Sequence, residues 1–109
     1  MREIDPNKCI DFILENAGKY AKAKGELAQL EAFKSSLKAI MMQKANEQTI
    51  GAQEREAYAS EEYINLGHAI GEATRQVEEM KFALDAAKMR FQAWQTASAN
   101  NRQLEKFTI

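Results

Sequence analysis

His68 is the only histidine and Cys9 the only cysteine in the chain, and those two counts remove most catalytic chemistry. A single histidine supplies neither a histidine-paired nucleophile nor a multi-histidine metal site. A lone cysteine closes no intrachain disulfide and builds no cysteine-based metal site, so Cys9 reads as a small buried hydrophobe. The carboxylate pairs Glu61/Glu62 and Glu78/Glu79 are adjacent in sequence, which on a helix turns them to different sides rather than into one site. The segment TIGAQE around Gly51 lacks the Lys-Ser/Thr pair that a glycine-rich phosphate loop needs. The expectation is a non-enzymatic protein with no metal and no cofactor.

Binding chemistry is better represented. Lys19, Lys22, Lys24, Lys34 and Lys38 fall in the first half of the chain, and Lys88, Arg90 and Arg102 in the second. These eight are the candidate contacts for a nucleic-acid backbone. Trp94, between Arg90 and Arg102, has two readings, core packing or stacking on a base. The formal net charge of −1 gives no global case for nucleic acid, because domains that grip phosphates are usually strongly basic. Between residues 16 and 44 there are six Lys and two Glu, and between 45 and 80 eight Glu and two Arg. Two arms of opposite sign attract one another, so this lysine run also has a purely structural explanation.

The elements that must carry these residues are helices. Asp5 before Pro6, the only proline, marks a helix start: the carboxylate caps free amides and proline gives up no needed hydrogen bond at the first position. Ala, Lys, Glu, Gln and Leu dominate from there, and Gly18 and Gly25 weaken a helix without ending it. The first helix is expected over about 6–45, with an apolar ridge of Ile13, Ala17, Tyr20, Ala23, Leu27, Leu30, Leu37 and Met41, and Phe33 and Ile40 alongside. NEQTIG, residues 46–51, is the turn. AQEREAYA, residues 52–59, is either a short helix or the start of the next one, and Ser60 before Glu61 and Glu62 looks like an N-cap. The second helix is expected from 52 or 60 to 99, followed by a basic tail over 100–109.

The pattern of this second helix is the clearest in the chain. Alternate steps of three and four from Tyr63 land on Leu66, Ile70, Ala73, Val77, Met80, Leu84, Ala87, Phe91, Trp94 and then Ser98. Such a 3.5-residue repeat is a coiled-coil seam. The fold class is all-α, a single domain over 1–109 built as a long antiparallel helical hairpin. Phe82, Ala86, Met89 and Ala93 form a second ridge that two helices leave uncovered, so the chain is expected to oligomerise through it. The GHAIG segment, with Gly67 and Gly71 one turn apart, suggests a tight helix crossing or a hinge. MREIDPNK is no signal peptide, and the longest apolar run, 39–42, cannot span a bilayer; the expected location is the cytoplasm, with no membrane partner.

The segments ENAGKYAKAK, LEAFKSSLKAIMM, AQEREAYASEEY and LDAAKMRFQAWQTASANNR resemble a family of small helical proteins encoded by tailed bacteriophages and prophages, across nearly the whole chain. The order of features is also similar to the UvsY-type phage recombination mediators: a Lys-rich long helix, a Tyr-bearing middle, then a helix with Trp and a basic end. The resemblance implies a non-enzymatic, oligomeric accessory protein of phage DNA recombination or replication, in the host cytoplasm. It would bind single-stranded DNA and a recombinase or annealing protein. The alternative is a helical protein-binding module that inhibits or redirects a host protein, without nucleic-acid binding.

Overall fold

In a computed structural model, which describes residues 3–107, the chain is an all-α helical hairpin. α1 spans Pro6–Lys44, α2 Ile50–Ala59 and α3 Glu61–Phe107. The start of α1 is set as the sequence predicts: the Asp5 carboxylate accepts from the backbone amides of Asn7 at 2.9 Å and Lys8 at 3.4 Å. The reversal is shorter than 46–51, because Thr49 in extended backbone caps α2 by accepting from the Ala52 amide at 3.2 Å. α2 is a separate helix. It ends at Ser60, whose ψ of 145° breaks the helical path. The Ser60 hydroxyl donates to the Ala57 carbonyl at 2.6 Å and accepts from the Tyr63 amide at 3.3 Å. One side chain thus caps the end of one helix and the beginning of the next.

Two compact units divide the chain. The first joins 1–21 to 78–109, and the second is the contiguous stretch Lys22–Val77. The second unit holds a cluster of Leu37 and Met41 from α1, Ala57 from α2 and Leu66 from α3, with Leu30, Met42, Tyr63 and Ile70 packed against it. Burying each large side chain of such a cluster stabilises the fold by roughly 1.5–3 kcal/mol. Lys38 Nζ pairs with Glu54 at 3.6 Å and lies 4.7 Å from the Tyr58 ring centroid, a contact of the kind that opposite arm charges favour. In the first unit α1 meets α3 through Cys9, Leu84 and Ala87, all buried.

All eleven predicted seam positions of α3, from Tyr63 to Ser98, are buried or half-buried. On α1 the seam runs through Cys9, Ile13, Asn16, Tyr20, Ala23, Leu27, Leu30, Leu37 and Met41. Ala17, expected there, is exposed; Asn16 takes the position instead. Asn16 tolerates it because its amide donates to the Phe12 carbonyl at 2.8 Å. Phe33 and Ile40, expected alongside the ridge, are exposed, at 46% and 39%. The expected helix end at Ala99 is likewise corrected: α3 continues to Phe107. Asn100 and Asn101 each disfavour helix by only about 0.7 kcal/mol relative to Ala, less than the helix-forming Arg, Gln, Leu, Glu and Lys that follow can sustain.

Candidate functional site

Among the described residues no three of His, Cys, Asp and Glu gather where they could hold a metal ion, and no helix is long and apolar enough to cross a membrane. His68 is exposed. Gly67 and Gly71 have no atom within 4 Å of where a Cβ would stand, and α3 runs through them unbroken. Among the described residues, GHAIG is therefore not the site of a tight helix crossing.

The ridge on the outer side of α3 is laid open. Phe82 and Met89 are 65% and 62% exposed, and Ala86 and Ala93 between and beyond them are exposed too. Steps of four, three and four residues keep these side chains within a narrow arc, at about 100° per residue. The same stepping continues through Ala97 and Asn100 to Leu104 and Phe107, which are 63% and 80% exposed. In sequence these last two lie beyond the expected helix end at Ala99. The 4-3-4-3 spacing from Ala93 onward is the signal that reveals them.

Beside this ridge a groove of about 480 Å³ opens between α1 and α3, floored by Cys9, Phe12, Ala83, Ala86 and Ala87. Glu3, Asp5, Lys8 and Arg90 line it as well. A second hollow of similar size, lined by Ile10, Ile13, Leu14, Lys88, Phe91, Gln92 and Gln95, contains no acid.

Of the eight candidate nucleic-acid contacts, Lys19 and Lys22 stand three residues apart on α1, one turn apart and on the same side. Lys38 is engaged by Tyr58 and Glu54. The Tyr58 side chain first, then Glu54, holds its ammonium above the ordinary lysine value against some desolvation. On α3, Lys88 and Arg90 are two residues apart and point to different sides, each lining a different hollow. Arg102 alone joins Trp94: with Gln95, Ser98 and Asn101 they line an open hollow of about 550 Å³. Trp94 is half-buried and tilted against Phe91 at 5.9 Å between ring centroids. Its indole is fixed by the seam and bordered by two side-chain amides, a hydroxyl and a guanidinium.

The remaining shifted group is Glu72, held below the ordinary carboxylate value by Arg75. That guanidinium grips it through two bonds of 2.6 and 3.0 Å. The pair lies one turn apart on an exposed side of α3.

Neither a known protein family, nor a curated protein, nor a solved structure matches the chain.

Proposed function

We propose that this chain is a non-enzymatic accessory protein of phage DNA recombination or replication, working in the host cytoplasm as a homo-oligomer that presents single-stranded DNA or a recombinase. One observation carries the oligomer: the exposed ridge of Phe82, Ala86, Met89 and Ala93. Contiguous apolar surface of this kind marks an interface. The recombination setting is supported by the sequence resemblance. Light scattering at micromolar concentration tests the assembly. The wild type is expected to be a dimer or larger, and Phe82→Glu with Met89→Glu to shift it toward monomer; a monomeric wild type overturns it.

DNA contact, on this reading, centres on the end of α3, with the lysines of α1 as additional candidates. Trp94 offers a fixed aromatic face, Gln95 and Asn101 can bond base edges, and Arg102 can meet a phosphate. Stacking of one base is worth about 1–3 kcal/mol, so Trp94→Ala should weaken oligonucleotide binding by roughly ten-fold or more. Each phosphate contact should add about −0.7 to the salt slope. Absence of any oligonucleotide binding at about 50 mM salt by fluorescence anisotropy, conditions in which counterion release strongly favours association, removes the DNA contact. The protein-binding module then stands in its place, a reading that the net charge of −1 and the internal use of Lys38 favour.

A further inference from the structure

Every described residue of α3 from Ala99 to Phe107 is exposed. A covered amphipathic face normally supplies most of a helix's stability, because helix nucleation is costly. This stretch carries Leu104 and Phe107, 63% and 80% exposed, at a three-residue spacing that puts both on one side. The groove floored by Cys9, Phe12 and the small residues Ala83, Ala86 and Ala87 has the converse character, an apolar trough with room for large side chains. Ala86 belongs both to the trough and to the Phe82–Ala93 ridge, so the two surfaces are continuous.

We propose that the trough receives the C-terminal turns of α3 from a second copy of this chain, Leu104 and Phe107 entering over Ala83 and Ala86, with the exchange made reciprocally about a two-fold axis. An isologous arrangement of this kind closes on itself, since each copy gives one helix end and accepts one. Charge selects this trough over the hollow on the other side of α3. The incoming turns carry Arg102 and Lys106, which find the carboxylates of Glu3 and Asp5 at the trough. The other hollow offers Lys88 and glutamines and no acid. The inference deepens the self-association reading and depends on it.

Disulfide trapping tests it in the full-length chain with Cys9→Ala. Ala86→Cys and Leu104→Cys are introduced together; along one helix they stand about 27 Å apart at 1.5 Å per residue, so a bond between them can form only between copies. Mild oxidation is expected to give a covalent dimer on a non-reducing gel, whereas Leu14→Cys with Leu104→Cys, a pair placed at the other hollow, is expected to give none. In parallel, Leu104→Asp with Phe107→Asp should raise the dimer dissociation constant by at least ten-fold while circular dichroism keeps most of the helix signal. A dimer by light scattering that traps only through Leu14→Cys, or through neither pair, overturns the docking and leaves self-association standing. A monomer overturns both and leaves the helix end to a partner of another sequence.

Discussion

The two units differ in how many helical segments close around their buried residues. Lys22–Val77 has three helical segments around its cluster, and Ala57 at its centre is fully buried. The unit made from the chain ends has two segments, and its buried set is Cys9, Leu84 and Ala87. Several of its large apolar side chains face outward: Ile10, Phe12 and Leu14 on α1, Phe82, Met89, Leu104 and Phe107 on α3. A third helix of only ten residues makes the difference. Where α2 is present, a buried cluster forms around Ala57, although Phe33, Ile40, Ile50, Tyr58 and Ile64 stay exposed. Where it is absent, apolar surface is left for something else, and the trough and ridge both lie there.

Substitutions in the two units should separate along this line. Leu66→Ala, in the three-helix cluster, should cost about 4 kcal/mol, and Leu84→Ala, between two helices, about 2–3 kcal/mol, because the more open site can relax. Urea denaturation of the two variants measures this, with Gln92→Ala, exposed, as a control expected within about 0.5 kcal/mol of wild type. Equal losses for all three would mean that the seam phase is wrong. Next in size, Ala57→Leu has no room and should cost about 1–3 kcal/mol, whereas Ala93→Leu on the open ridge should change monomer stability by less than about 0.5 kcal/mol.

Ser60→Ala removes a hydroxyl that serves two helix ends and should cost about 1 kcal/mol, read as a lower melting temperature. The smallest effects are electrostatic. The Lys38 ammonium is held above its ordinary value by Tyr58 and Glu54. Its stabilising contribution is therefore complete below the ordinary lysine value of 10.5 and lost as pH rises through the higher folded value. Lys38→Gln should melt below wild type at pH 8, with the gap narrowing in strongly alkaline solution. Glu72 behaves inversely: with its folded value depressed below 4.5 by Arg75, its contribution is present above that pH and fades in acid. Equal acid sensitivity of wild type and Glu72→Gln would argue against that pair.

Much of the fold was legible because a 3.5-residue repeat survives local irregularities. The α3 seam from Tyr63 to Ser98 needed only side-chain type and spacing. Helix starts were legible too, since Asp5 and Ser60 act through bonds confined to the next turn. Helix ends were harder. No Gly or Pro stops α3, and two asparagines are too weak to do so. The exchange of Ala17 for Asn16 on the seam was hidden because a polar residue can sit there once its amide finds a backbone carbonyl within its own helix. The candidate site was less legible than the fold. Eight basic residues look like a stripe in sequence, yet two residues along a helix turn a side chain through about 200°. Lys88 and Arg90 consequently part company, whereas Trp94 and Arg102, eight residues apart, line one hollow.

The nesting of one unit inside the other has a consequence for how the chain acquires its structure. Contacts within Lys22–Val77 span short stretches of sequence, so their loop-closure cost is low; pairing 1–21 with 78–109 requires the whole intervening stretch to be spanned. Local contacts form faster than distant ones, so the inner unit should order first and hold the two arms near each other while the outer one closes like a zip. During synthesis, Ile10, Phe12 and Leu14 emerge early and wait for α3 to be completed. The end that closes last within the molecule is then also the end with apolar surface still to cover.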